Sequence, residues 1–217
     1  MSDATAPHEG PPLPEGFFET IGASEERLAE IEAYRRILAR ANTTMNLVGQ
    51  STLGDFWRRH FIDSAQLAWF APQARAWADL GSGAGLPGII LAILMKGRPG
   101  GHVHLIESVA KRARFLSDVA AALDLPVTLH HARAESLRLN VEMVTARACA
   151  PLARLLDFAE PYMARGARGL FLKGGEVESE IAAARGAWRF RDQTRPSLSD
   201  PRGRVLSVTE LARAAKP

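Results

Sequence analysis

From residue 75 onward, short apolar runs alternate with longer segments whose apolar residues recur every three or four positions, a pattern that predicts parallel strands joined by helices. The strands fall at 75–80, 102–106, 127–131, 142–146 and 168–172, and the helices at 86–96, 109–123, 151–163 and 177–187. Two last runs, 187–194 and 204–209, flank a stretch of Pro, Ser, Asp and Gly and predict an antiparallel pair closing the sheet. Upstream, Ser24 is placed to cap a helix reaching residue 41, with Glu25 and Glu26 at its positive end and Leu28, Ile31, Ile37 and Leu38 on one face. Residues 42–51 read as a loop and 53–70 as a second helix. Residues 1–16, with four prolines, two glycines and no apolar period, read as a disordered tail. The expected organisation is therefore a tail over 1–16, a helical segment over 17–72 that caps the main fold, and an α/β domain over 73–217.

Residues 77–90, W-A-D-L-G-S-G-A-G-L-P-G-I-I, carry a strand into four glycines at 81, 83, 85 and 88. Such a turn lets a ligand approach the backbone and aims the N–H groups of the next helix at it, and Pro87 suits that helix's first turn. Two cofactors compete for it. The frame Gly83-x-Gly85-x-x-Gly88, with Glu107 downstream for a ribose, fits a dinucleotide and keeps a nicotinamide-dependent oxidoreductase open. The frame Asp79-x-Gly81-x-Gly83-x-Gly85 is that of class I methyltransferases. A carboxylate at the strand end would repel a pyrophosphate and suit the cationic amino group of S-adenosylmethionine, which favours the methyl donor.

Composition narrows the setting more than the chemistry. The 217 residues are 47% hydrophobic and 24% charged, an ordinary globular make-up. No apolar run approaches the roughly 20 residues of a membrane span, and the first residues lack the basic and apolar regions of a signal peptide, so a cytoplasmic location is expected. Cys149 is the single cysteine, which excludes an internal disulfide and a cysteine-based zinc site; no metal is expected. The net charge of +3 is compatible with a nucleic-acid partner. The excess of 23 arginines over 4 lysines is equally a mark of codon bias, and it makes an individual lysine stand out.

In an open α/β sheet ligands lie at the carboxyl ends of strands. Glu107 ends the second strand, where an acid accepts ribose hydroxyls. Arg133-Ala134-Glu135 follows the third, beside the expected adenine edge. Arg147 follows the fourth, at the mouth facing the transferable methyl, and Lys173 the fifth, next to Gly174 and Gly175. His60 and Asp63 are three apart on a predicted helix and can touch, while Arg58 and Arg59 read as a solvated face. After the fourth strand the chain reads Arg147-Ala148-Cys149-Ala150-Pro151, without the Asn or Asp, paired prolines and aromatic that hold an exocyclic amine. Cys149 lacks the setting of a pyrimidine-methylating nucleophile and reads as a small buried residue. Guanine N7 needs neither device: it has an in-plane lone pair and no proton to lose, so alignment supplies most of the acceleration.

These residues carry a likeness to a known family. The chain resembles, from about residue 42 to 211, the RsmG family, also called glucose-inhibited division protein B, the guanine-N7 methyltransferases of bacterial small-subunit ribosomal RNA. The likeness rests on Asn46-Leu47, His60-x-x-Asp63-Ser64, the run from Asp79 to Gly88 with its Leu86-Pro87-Gly88 ending, Glu107-Ser108-x-x-Lys111-Arg112, Arg133-Ala134-Glu135, Arg147-Ala148 and Phe171-Leu172-Lys173-Gly174. It implies a class I, Rossmann-like fold. It implies methyl transfer from S-adenosylmethionine to a guanine in the decoding-region loop of 16S rRNA, with the small ribosomal subunit as partner and a monomeric enzyme. By motif, Asp79, Gly81, Gly83, Leu86, Glu107, Ala134, Glu135 and Arg147 would line the cofactor pocket, Arg147 and Lys173 would serve the reaction, and Arg133 and Lys173 would lie toward RNA. A small-molecule methyltransferase and a non-enzymatic ribosome-binding protein are the further alternatives.

Overall fold

The computed structural model describes residues 11–214. Seven strands form one sheet in the order β3-β2-β1-β4-β5-β7-β6: β1 Ala76–Leu80, β2 His102–Glu107, β3 Val127–His131, β4 Met143–Arg147, β5 Arg168–Lys173, β6 Trp188–Pro196 and β7 Arg204–Arg213. The first five are parallel, and β7 runs antiparallel between β5 and β6. That reversed strand departs from the 3-2-1-4-5-6 order of the dinucleotide fold and gives the class I methyltransferase sheet. The order reverses between β1 and β4, so the switch point lies at the carboxyl ends of those two strands.

Alternation along each strand feeds two cores. Trp77, Val103 and Leu105 face one side, packed by α5 (Gly88–Met95) and α6 (Ala110–Ala122); Ala78, Leu80 and Ile106 face the other, under α7 (Leu152–Met163) and α8 (Val177–Ala184). Every residue of α5 is buried, because α2 (Glu25–Met45) and α4 (Asp63–Phe70) cover the side turned away from the sheet. This explains why its sequence is apolar all round. The N-terminal helices thus share a core with the sheet, joined by α1 (Phe17–Ile21), whose Phe17 and Ile21 are fully buried.

Several local readings change. Ser24 caps α2 as expected, accepting from the Arg27 N–H, but the helix runs to Met45. Its extra turn is held by the buried Asn42, whose amide donates to the Val48 carbonyl and accepts from the Val48 N–H at 2.9 Å. A short helix, α3 (Gln50–Leu53), follows. The helix expected over 53–70 is broken by a π-helical stretch, Trp57–Ile62, before α4. The tail reading extends to residue 16, of which residues 1–10 lie outside the described part. Leu13 packs against the core, and the Pro11 carbonyl accepts from Arg58.

Candidate active site

The turn after β1 takes positive φ at Gly81, Gly83 and Gly85, at 68°, 55° and 91°. Gly81 is constrained twice over, since a Cβ there would also stand 2.7 Å from the Cys149 Sγ. Gly88 sits against the sheet: a Cβ would collide with the Leu105 side chain and stand 2.6 Å from the Asp79 carboxylate. Two groups hold the turn from below. Tyr34 of α2 donates its hydroxyl to the Ala84 carbonyl at 2.6 Å. Glu107 accepts from the Gly83 N–H at 2.9 Å through one oxygen and from the Val109 N–H at 2.8 Å through the other. The acid expected to meet a ribose is therefore already engaged by the turn, with further lone pairs on each oxygen.

Asp79 is 1% exposed, and its Oδ2 accepts from the Gly88 N–H at 3.1 Å. Its Oδ1 has no partner. Neither has the Oγ1 of Thr145, fully buried and the register partner of Asp79 on β4. Burial pushes the Asp79 carboxyl up to about 7, with the nearby Ser82 hydroxyl, the Gly88 N–H and the Arg147 charge pulling the other way. Two unsatisfied polar side chains thus stand side by side at the switch point, where a buried polar atom without a partner is costly.

Two openings flank this point. The smaller is a cleft that includes Gly81, Ser108, Arg133, Ala134, Glu135 and Cys149. Its far wall is a single 3₁₀ turn, Ala134–Ser136, fixed by Tyr162 of α7, whose buried hydroxyl donates to the Ala134 carbonyl at 2.8 Å. The chain's two tyrosines therefore each hold one loop of the cleft by a backbone carbonyl. Cys149 is half-buried, and burial pushes its thiol up, away from the reactive thiolate. Leu86, expected on the cleft wall, is 4% exposed with its side chain packed in the core. Arg133, expected like Lys173 to lie toward RNA, stands exposed at this cleft and outside the larger opening.

The larger opening is a groove of about 1020 Å³. One wall is the N-terminal segment from Leu47 to Asp63, and the other combines Lys173–Glu176 with the loop 199–203. Arg147 reaches across from β4: its Nη1 donates to the Arg59 carbonyl at 3.0 Å, the His60 Nδ1 at 3.1 Å and the Asp63 carboxylate at 3.3 Å. His60 must then carry its proton on Nε2, which donates to the Thr52 hydroxyl at 2.9 Å while Thr52 donates to the Gly49 carbonyl. Burial and the charges of Arg147 and Arg59 pull the His60 imidazole down to about 4, keeping it neutral.

The far wall is latched to the near one. Asp63 accepts from the Ser199 hydroxyl at 2.7 Å, Gln66 accepts from the Leu198 N–H at 2.8 Å, and Arg58 donates to the Ser199 carbonyl at 2.7 Å. Arg58 is thus a tether across the groove, where the sequence suggested a solvated face. Periodicity carries no sign of a partner 141 residues away. Lys173 lines the groove with its stem, and its Nζ is turned to Glu180 at 2.6 Å and the Ala150 carbonyl at 3.3 Å. Lys111 donates to the Thr44 carbonyl, joining α6 to the end of α2.

A family profile described as rRNA small subunit methyltransferase G matches residues 27–203. The chain belongs to that family. The ribosomal RNA small subunit methyltransferase G of Caulobacter vibrioides (strain NA1000 / CB15N) is 56% identical over 198 residues, spanning 91% of this chain and 92% of the relative. Its namesake in Caulobacter sp. (strain K31) is 53% identical over 210 residues, spanning 97% and 93%. Among solved structures, the magnesium protoporphyrin IX methyltransferase of Synechocystis PCC 6803 with bound SAM superposes with a TM-score of 0.51 at 16% identity, over 80% of this chain and 97% of that one, a likeness of fold alone. The stretch matched to the family runs from α2, which carries Tyr34, to Gly203 at the far lip of the groove, and so takes in both openings. Among the described residues no three His, Cys, Asp or Glu side chains are grouped to hold a metal ion, and no helix is long and apolar enough to cross a membrane.

Proposed function

We propose that this protein is an rRNA methyltransferase that uses S-adenosylmethionine and methylates N7 of a guanine in the decoding-region loop of 16S rRNA, acting on the small ribosomal subunit. The observation that carries the reading is the pair of unpartnered buried oxygens, Asp79 Oδ1 and Thr145 Oγ1, beside the glycine turn. A cationic amino group placed there would give Asp79 its counter-charge and restore the ionised carboxylate. The turn at Gly81 and Gly83, the free lone pairs of Glu107 and the Ala134–Glu135 turn would hold the adenosine portion. Once bound, the donor supplies an electrophilic methyl on a cationic sulfur.

The groove residues do the rest. Arg147, held by His60 and Asp63, keeps a guanidinium at the mouth of β4, where it can stack on a base or pair with a phosphate. His60 has its Nδ1 engaged by Arg147 and is not poised to take a proton. That suits guanine N7, which has none to give up, so alignment of the base is the main demand. Lys173 stands at the groove floor with its ammonium paired to Glu180, from which an incoming phosphate would have to draw it, and Arg133 would meet RNA at the cleft rim. Membership of the family supports the substrate class.

The test is transfer of labelled methyl from S-adenosylmethionine to small subunits lacking the modification, the base being identified by cleavage specific for N7-methylguanine. A single labelled guanine in the decoding-region loop is expected. Donor binding without transfer to any ribosomal particle would refute the reading and favour a small-molecule substrate or a binding role.

A further inference from the structure

From the end of the sheet opposite the active site back toward it, one face of β5, β7 and β6 carries a row of polar side chains. The register sets them together: Gln193 pairs with Ser207, Arg191 with Thr209 and Leu170 with Ser207, while Arg195 and Arg168 lie at even spacings on the same face. With Phe70 at the end of α4 they line a hollow of about 360 Å³. Arg168 and Arg191 are exposed, and Arg195, Ser207 and Thr209 half-exposed.

The charges there are unbalanced. Arg191 pairs with Glu210 at 2.9 Å, an exposed contact of little worth in water. Arg195 donates to the neutral Gln193 at 2.6 Å and lies over the Phe70 ring at 5.5 Å. Among the described residues no carboxylate pairs with Arg168 or Arg195. Asp192 reaches the rim, but its carboxylate is engaged by Arg185 at 2.5 Å. Three guanidiniums thus face one exposed acid on a concave surface that also offers two hydroxyls.

We infer that this face, formed by Arg168, Arg191, Arg195, Gln193, Ser207 and Thr209, is a second RNA-contact surface that holds the phosphodiester backbone of the substrate away from the methylated base. Planar guanidinium forks with Ser, Thr and Gln donors beside them are the side chains that contact phosphate and sugar. Arg191 and Arg195 stand four residues apart on one strand, about 13 Å, so they engage different phosphates of one strand. Arg168 opens β5 and Lys173 closes it about 17 Å away, while Arg195 lies level with Leu172 through Val205, so the face runs from the far end of the sheet back toward the groove. An RNA seated in the groove and continuing past the sheet would meet both. The choice of RNA as the polyanion rests on the rRNA reading above; the surplus of guanidiniums stands without it.

The experiment measures binding of naked 16S rRNA and of the assembled small subunit over a range of salt, for the wild type and for Arg168→Glu/Arg195→Glu, with S-adenosylmethionine affinity taken in parallel. The double variant is expected to bind both RNA and subunit roughly tenfold more weakly, with the slope of log affinity against log salt shallower by about 1.5, as for two lost phosphate contacts. Donor affinity should stay unchanged. Should charge reversal prevent folding, Arg168→Gln/Arg195→Gln is expected to give the same loss of slope at smaller amplitude. Wild-type affinity and slope in the folded variants would overturn the inference. So would a loss seen with the assembled subunit alone, which would assign the face to an acidic ribosomal protein. Failure of the wild type to bind either particle would overturn the rRNA reading first and this assignment with it.

Discussion

Replacing Tyr34 by Phe removes one oxygen and leaves the ring that fills its place in the core, so no cavity is created. That oxygen is fully buried and donates to the Ala84 carbonyl at 2.6 Å, tying the middle of α2 to the centre of the glycine turn. Burial raises the phenol well above its ordinary range, so it stays a donor at every working pH. Its loss leaves a carbonyl deprived of a buried donor, at a cost of about 1–3 kcal/mol. For a chain of this length each kcal/mol lowers the melting midpoint by about 2–4 °C, so a fall of roughly 2–12 °C is expected. Urea unfolding should give the same loss with an unchanged m-value. Because the freed carbonyl lies between Gly83 and Gly85, S-adenosylmethionine affinity measured by calorimetry should drop severalfold. A stability loss below about 0.3 kcal/mol together with full donor affinity would refute the idea that α2 holds the turn.

Asp79→Asn tests the buried carboxyl by pH. With a folded value of about 7 against an ordinary value near 4, the native state binds more protons than the unfolded one across that interval, so wild-type stability falls as pH rises through it. Relative to the wild type, the Asn variant should gain stability from pH 4 to 7. His60 and His104, pulled down to about 4, act in the opposite direction below pH 6.5 in both proteins and cancel in the difference. Parallel unfolding curves at all pH values would sink the assignment. Gly81→Asp adds a Cβ 2.7 Å from the Cys149 Sγ at a φ of +68°, and should abolish donor binding; titration showing wild-type affinity would mean the turn is not the pocket. Lys173→Ala should lower methyl transfer while sparing donor affinity, and leave Glu180 with the Leu152 N–H alone, at a cost of about 1 kcal/mol. Unchanged turnover would remove Lys173 from the reaction.

Local pattern and spacing made the sheet and the glycine turn legible: alternation in β1 and β2, the all-apolar α5 and the acid at the end of β1 each follow from residues close in sequence. The family motif also flagged His60 and Asp63. Their common partner, Arg147, lies more than eighty residues on, and nothing in the periodicity of residues 53–70 reveals that a π-helical stretch turns His60 toward it. The same limit hid Asn42, whose amide stabilises a turn the residue pattern reads as loop. It also hid Glu107, where a strand-end acid says nothing of the N–H groups it will meet. Contacts closed by the tertiary fold have no local signature, and the groove is built almost entirely from them.

The tether between Arg58, Asp63 and Gln66 on one wall and Leu198 and Ser199 on the other has a consequence in time. During synthesis the donor turn, β1 and β4 emerge before residue 150, at about 5–20 residues per second. The far lip arrives only with the β6–β7 hairpin, and β7 must insert between β5 and β6 before the lip is fixed. A nascent chain therefore completes the cleft beside the glycine turn first and acquires the larger groove last. On the reading proposed above, an enzyme whose substrate is the particle that is making it would have no finished groove with which to engage that particle until its own synthesis is nearly over.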